Sequence, residues 1–422
     1  MNQMPFRHLM AYGNSDQASF RNIAVQGTFH VMTVPGTIAS YYQEATAAFV
    51  LSSQLQYLID PRTPLFQGDI DDPRASHITL AEWHGPTVHS AVASGTASLD
   101  PTFYTPAVVG ELVGEIVDRQ RTYAGHAPVV KKKLDRYAAL LAEAMQQQGA
   151  PAPTTNAMPP YAILAPYFAV SGTSDPWWTV MQEVWAAASS LPQPDKIMPV
   201  LCLDGRPKEN ADGVATLAEI LPLLPPALSK IAFFWITNFD ERKVNESQLR
   251  ALWNVIANRP DGRRLVNLYG GFFSICMRHA GLRGFGNGLT YSESRDWPAL
   301  ASTGAAPPRY YVRDLHLFMS PAVAAVLESV DLSFACPCDA CADWRATGQS
   351  IASLPYHDLK RHFALARKWE LDLTAATPLA DIADQLEDAR DRAVAASSGN
   401  LVLDSLPALE YLGRWASVLR SP

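Results

Sequence analysis

The stretch IAFFWITNFDERKVNESQLRALWNVIANRPDGRRLVNLYGG, residues 231–271, decides the fold class. It opens on a short apolar run at 231–237, passes through a helical pattern at 246–258, and returns to an apolar run at 265–269 that ends on Gly270-Gly271. Strand, helix and strand in that order make a crossover unit, the connection that joins parallel strands. Working outward, apolar runs at 28–34, 55–59, 162–170, 197–203, 285–291 and 310–317 read as further strands, with 331–335 as one more candidate. Helical patterns at 38–55, 177–190, 214–224 and 321–329 fit between several of them. Eight or nine alternating units favour an α/β fold of the TIM type, a (β/α)8 barrel, over an open doubly wound sheet. The eighth strand is either 310–317 or 331–335.

An insertion of about residues 100–160 interrupts the alternation. It contains a long predicted helix at 129–148 and a proline-rich connector, GAPAPTTNAMPP, at 149–160. After the last candidate strand the chain reads as helices at 358–373, 378–398 and 406–419.

Composition narrows the classes. The 422 residues are 48% hydrophobic, enough for a large core, so global disorder is excluded. No run is long and apolar enough for a membrane span, and the N-terminus lacks a signal-peptide core. The expectation is a cytoplasmic protein with no membrane partner. The net charge of −7 is not that of a basic nucleic-acid binder, although a local positive groove would suffice for binding. The basic clusters Lys131-Lys132-Lys133, Arg263-Arg264 and Lys360-Arg361 read as solvated faces.

Five cysteines are present. Cys202 and Cys276 sit in apolar runs and read as core thiols. Cys336, Cys338 and Cys341 fall within CPCDAC, a C-x-C-x₂-C spacing that directs three thiolates to one point. Zinc takes four N or S ligands in a tetrahedron, and His362 in a predicted helix supplies the fourth, with His357 the alternative. Four protein ligands leave no open position, which makes the zinc structural. The chain then divides into a barrel at 1–335 and a zinc-binding helical subdomain at 336–422.

A barrel followed by C-x-C-x₂-C and a helical histidine resembles the tRNA-guanine transglycosylase superfamily. Asp60-Pro-Arg-Thr-Pro-Leu-Phe66-Gln67 is similar to that family's strand-ending aspartate followed by a turn and Phe-Gln. Gly270-Gly271 resembles its paired glycines, whose backbone approaches the bound base. The family's aspartate followed by Pro-Thr-Arg is absent, and Tyr291-Ser292-Glu293-Ser294-Arg295 is the nearest carboxylate-plus-arginine arrangement. The departures look like the divergent DNA-directed branch, which includes base-exchanging enzymes and antiphage glycosylases that excise modified bases. The resemblance implies a DNA glycosylase, an N-glycosidic-bond hydrolase, acting on modified phage DNA rather than tRNA. The alternatives are a transglycosylase inserting a deazaguanine into DNA or tRNA, an inactive nucleic-acid-binding barrel, and an unrelated barrel enzyme acting on small glycosides or nucleosides.

Cleaving an N-glycosidic bond builds positive charge on the sugar, so a carboxylate near C1′ is required. In a barrel it belongs at the C-terminal end of a strand. Asp60 fits, although an aspartate before proline is also a common turn residue. Glu293 and Asp240 are the other catalytic candidates. Asp204, Arg295, Tyr291, Phe66, Gln67, Gly270 and Gly271 are candidate substrate contacts. Asp204 and Asp240 are each more often loop-capping residues. Trp177, Trp178, Phe272 and Phe273 could stack on an extruded base but more often belong to a core. The glycine-rich 281–288, GLRGFGNG, reads as a mobile loop or tight turn, and Asp314 and His316 reach the site only if 310–317 is the eighth strand.

Overall fold

The computed structural model describes residues 5–13, 16, 19, 27–53, 55–126, 139, 142, 146, 160–205, 212–259, 262–289, 293–301, 307–403 and 409–422. In chain order the strands are β1 (Arg7–Ala11), β2 (Val31–Pro35), β3 (Gln56–Asp60), β4 (Gly68–Asp71), β5 (Thr96–Leu99), β6 (Ile163–Leu164) and β7 (Ala169–Val170). There follow β8 (Ile197–Met198), β9 (Val200–Leu203), β10 (Ile231–Ile236), β11 (Arg264–Asn267), β12 (Gly284–Gly288), β13 (Tyr310–Val312) and β14 (Leu317–Met319). The helices interleaved with the sheet are α1 (Gly36–Tyr41), α2 (Gln43–Ser53), α3 (Ala75–Glu82), α4 (Pro86–Ala93), α5 (Pro106–His126), α6 (Pro176–Ser190), α7 (Gly213–Ile220), α8 (Glu246–Ala257) and α9 (Phe272–Cys276). The C-terminal helices are α10 (Pro321–Val330), α11 (Asp339–Ala346), α12 (Tyr356–Ala376), α13 (Leu379–Ser397) and α14 (Glu410–Arg420).

Eight strands pair in parallel in the order β3-β2-β1-β12-β11-β10-β9-β7. The sheet curls until its edges meet at a short seam. There Leu58 bridges Ala162 in the parallel sense, the Tyr161 N–H donates to the Tyr57 carbonyl at 2.6 Å, and β6 pairs with β8. Strands covered on both faces need apolar residues on both, and β10, Ile-Ala-Phe-Phe-Trp-Ile, is buried from Ala232 onward. The helix of the 231–271 unit starts where its cap dictates. The Asn245 side chain accepts from the Gln248 N–H while the Gln248 side chain accepts from the Asn245 N–H.

Side-chain alternation fixes which residues line the inside of the curl. Met10, Met32, Val34, Tyr57 and Ile59 pack with Ala39, Ala47 and Phe49 of α1 and α2 on the outside. Asp60, the next residue after Ile59 and in register with Pro35, therefore lies on the inner face with Leu58.

Three expectations about the elements are corrected. The sheet begins with β1, where Arg7 and His8 obscure the apolar pattern. His8 is buried there because its Nε2 meets Asn287 Oδ1 at 2.9 Å and its Nδ1 meets the Thr28 carbonyl at 3.2 Å. The eighth sheet strand in chain order is β12, which agrees with the strand expected at 285–291 and overturns the loop reading of 281–288. Its glycines are required by close approach. A Cβ on Gly286 would lie 2.5 Å from the Leu268 carbonyl oxygen, and one on Gly284 2.6 Å from that of Arg7. Residues 310–317 and 331–335 are not sheet strands. The first becomes the antiparallel hairpin β13–β14, and the second a 3-10 turn leading into the cysteines. The expected 129–148 helix and most of the 149–160 connector lie outside the described residues.

Two buried histidines make the fold acid-sensitive. Burial lowers His8 and His84 from the ordinary value of 6.5 to about 4. Their contribution to stability is complete above 6.5 and is lost as pH falls toward 4, because the unfolded chain takes up the protons first. The loss by pH 5 is about 2 kcal/mol per ring. Urea denaturation at pH 7 and pH 5 should show this drop, and His84→Met should flatten it. Equal wild-type stability at the two pH values would contradict the assignment.

Candidate active site and metal centre

Asp60 ends β3 and is 3% exposed. Its Oδ1 accepts the Tyr167 hydroxyl at 2.6 Å and the Arg62 backbone N–H at 3.1 Å. Arg62 Nε lies 3.7 Å from Oδ2. Arg62 is in the left-handed region at φ 52, a costly conformation for a long side chain, and that turn folds its amide back onto Asp60. Two donors thus orient one carboxylate oxygen and leave the other beside a guanidinium.

Other strand ends supply groups that interact electrostatically with this carboxylate. They are Tyr167 before β7, Cys202 in β9, Tyr269 after β11 and Arg295 after β12. Asp204 and Asp296 act on Cys202 together with Asp60. Burial raises the Tyr167 and Tyr269 phenols and Asp60 raises them further, so both remain protonated donors. Burial also pushes the Cys202 thiol well above its ordinary value, which removes it as a nucleophile at neutral pH. Of the sequence candidates, Asp60, Asp204 and Arg295 therefore share one electrostatic environment. Tyr167, Tyr269 and Asp296 were not foreseen. Tyr269 directly precedes the paired glycines and Asp296 directly follows Arg295, which were the available signals.

Glu293 and Asp240 belong to a separate ion cluster, buried at Glu293 and half-buried at Asp240. Glu293 accepts Arg242 Nη1 at 2.9 Å and contacts the Arg367 guanidinium. Asp240 is tied to the Arg242 amide at 3.1 Å and to Lys243 Nζ at 3.3 Å. A carboxylate held between two guanidiniums is poorly placed to exchange protons, so Glu293 is corrected from catalyst to structural ion. Asp240 is likewise a loop-capping residue. Glu241 was overlooked: it accepts the Gly271, Phe273 and Ser274 amides, each at 3.1 Å, and so caps α9.

The remaining contacts are also structural. Phe66 is fully buried, edge-on to His84 at 4.7 Å. Gln67 donates to the Ala169 carbonyl at 2.8 Å and accepts its N–H at 2.7 Å, a staple between the loop after β3 and β7. A Cβ on Gly271 would sit 3.0 Å from Glu241 Oε2, and Gly270 is closed off by Ser274, so these glycines admit side chains of the protein itself. Phe168 stacks on Trp177 and Phe272 on His316, while Trp178 meets Trp185 edge-on. Arg263 is buried on the Ser229, Leu224 and Pro225 carbonyls, and Lys360 pairs with Asp16 at 2.5 Å. Tyr291, Lys131, Lys132 and Lys133 lie outside the described residues.

The metal-ligating side chains do meet. Cys336, Cys338, Cys341 and His362 place their ligand atoms within 4.8 Å of one another. Both Cys338 Sγ and Cys341 Sγ lie 3.3 Å from His362 Nδ1. His362 Nε2 donates to the Tyr311 carbonyl at 2.7 Å, which fixes the tautomer that presents the Nδ1 lone pair to the sulfurs. The ring also stacks on Tyr310 at 4.2 Å, and the Tyr310 hydroxyl lies 3.3 Å from Cys341 Sγ. His357 is exposed and pairs with Asp358 at 3.2 Å, which decides between the two histidines.

No family model and no curated protein matches the chain. Among solved structures, Haloferax volcanii malate synthase, native at 3 mM glyoxylate, aligns over 96% of this chain and 97% of that one, at 9% identity and a TM-score of 0.33. Its magnesium/glyoxylate complex aligns over 98% and 99%, at 8% identity and a TM-score of 0.31. Similarity at this level carries no argument about fold or activity. No helix among the described residues is long and apolar enough to cross a membrane.

Substitution should separate the two histidines. Cys338→Ser and His362→Ala should each lose bound metal and lower the melting temperature, because metal binding at such a site is folding free energy. His357→Ala should keep about one metal per chain, the stoichiometry of a four-ligand site. Elemental analysis beside thermal melts reads this, and metal retained in His362→Ala would contradict the ligand set.

Proposed function

We propose that the curled sheet is a TIM-type (β/α)8 barrel whose strand-end group excises a modified base from DNA, with the cysteine–histidine centre holding a structural zinc. The observation that carries this reading is Asp60, a buried carboxylate at a strand end, oriented through one oxygen by Tyr167 and Arg62. An N-glycosidic bond breaks with its electron pair leaving on the base, and the sugar becomes oxocarbenium-like. A fixed carboxylate stabilises that cation and accepts a proton from the water that adds to C1′. The departing base takes up a proton, and the products are a free base and an abasic sugar. On this reading Tyr269 and Arg295 would contact the extruded base or its sugar-phosphate.

Three thiols and an imidazole with a fixed tautomer suit tetrahedral zinc. When bound, zinc braces the loop 336–341 against α12. The strand-end residues do the chemistry.

Substrate choice follows from charge. At net −7 the chain gains little general attraction to DNA, so discrimination falls on the extruded base and its decoration. A modified phage base, rather than canonical DNA, is the substrate this reading names, in an antiviral role.

Asp60→Asn should slow base release by about 10²–10⁴-fold with metal content and melting temperature unchanged. Tyr167→Phe should slow it by about 10- to 100-fold, the loss of one hydrogen bond to a charged group. Abasic sites counted as alkali-labile breaks in hypermodified phage DNA measure both. Wild-type rates in Asp60→Asn would end the assignment of this carboxylate.

A further inference from the structure

A run of buried contacts leads from the candidate metal centre to Glu293, and the half-buried residues that follow it lead on to the strand-end site. Tyr311 of β13 touches both His362 and Glu370 of α12. Its carbonyl accepts His362 Nε2 at 2.7 Å, and its hydroxyl donates to Glu370 Oε1 at 2.7 Å. His316 Nδ1 meets the same oxygen at 2.6 Å. Glu370 Oε2 accepts Arg367 Nη1 at 2.5 Å, and the same guanidinium contacts Glu293. Glu293 begins the short segment that carries Arg295 and Asp296 to the group around Asp60 and Cys202. The sequence interval from His362 to Glu370 is about two helical turns, so one rigid helix spans the metal ligand and the ion cluster.

We infer that Arg367 is a positioning residue that transmits the order of the metal centre to the strand-end site by holding residues 293–296 in place. Arg367 and Glu370 are fully buried and Glu293 nearly so. Separating such charges is far more costly than separating them in water, so the three side chains move as a unit or the cluster opens as a unit. Losing the metal frees His362 and the start of α12. The ion cluster, in register on the same helix and on Tyr311, then loses its support. The 293–296 segment is the outlet, because it is an irregular stretch held by the Asn238 N–H on the Arg295 carbonyl at 3.4 Å rather than by a strand ladder. The positioning claim is independent of the reaction. Only its consequence for rate rests on the glycosylase reading.

The test is hydrogen exchange of the peptide covering 293–301 in the full-length protein, with and without EDTA, beside elemental analysis. In the wild type, chelation should speed exchange there by about tenfold, the effect of losing one hydrogen bond to a charged group. Arg367→Gln should show that fast exchange with metal still bound and gain nothing further from chelation. Tyr311→Phe removes the hydroxyl but keeps the carbonyl on His362, so it covers the case in which Arg367→Gln fails to fold. It should retain metal and speed exchange in the same peptide. Arg367→Lys should restore part of the protection. A wild-type peptide that stays protected after metal removal would overturn the inference, as would Tyr311→Phe at the wild-type rate. With modified phage DNA, kcat should fall in Tyr311→Phe at unchanged metal content. If no variant and no wild-type protein releases base while the exchange pattern holds, the reaction assignment fails and the coupling stands. Base release with no exchange response would leave the reaction and remove the coupling.

Discussion

The C-terminal half of the molecule depends on the cost of burying a guanidinium. Arg367 is fully buried, and it is tolerable there only because Glu370 and Glu293 approach it from two different parts of the chain. Glu370 is itself fully buried. Burial would raise its carboxyl, and Arg367, His316 and Tyr311 outweigh that and hold it below the ordinary range. The cluster specifies how α12 sits against the sheet. A misplaced α12 would leave charges unpaired in a dry interior, whereas apolar packing alone tolerates sliding. The same helix presents His362 to the three cysteines, so the candidate metal centre and the ion cluster both bear on one element.

Two carboxylates of the same general placement, both after strands, meet opposite fates. Glu293 is consumed by Arg242 and Arg367. Asp60 has one oxygen held by neutral donors, a phenol and an amide, with the Arg62 guanidinium at 3.7 Å from the other. Strand-end position therefore nominates a residue, and the charge of its neighbours decides whether it remains available. Residue type would have treated them alike.

The parallel sheet was legible because its strands are continuous apolar runs that alternate with capped helices, as in 231–271. β1 was not, since Arg7 and His8 interrupt the pattern and are tolerated only through partners distant in the chain, such as Asn287. β12 was read two ways, as a strand at 285–291 and as a loop at 281–288. Its glycines look like a loop until the carbonyls of Leu268 and Arg7 are seen pressing on them. The clustering of the three cysteines was readable from spacing, because C-x-C-x₂-C is a local constraint. Gln67 and the paired glycines were misjudged because the resemblance assigned them to a ligand, whereas Ala169, Ser274 and Glu241 occupy their contacts. Tyr167 could be found only once the curl brought separate strand ends together, whereas Tyr269 and Asp296 had their neighbours Gly270 and Arg295 as signals.

In the proposed function the chemistry lies at the strand ends around Asp60 and the metal only braces the C-terminal helices. The most direct measurement is mass spectrometry of free bases released when the wild-type protein is incubated with hypermodified phage DNA and, in parallel, with canonical DNA. The account predicts a modified base released from the first, with an abasic site left in the strand, and almost none from the second. Intact DNA in both incubations, with metal-loaded and folded protein, would contradict it.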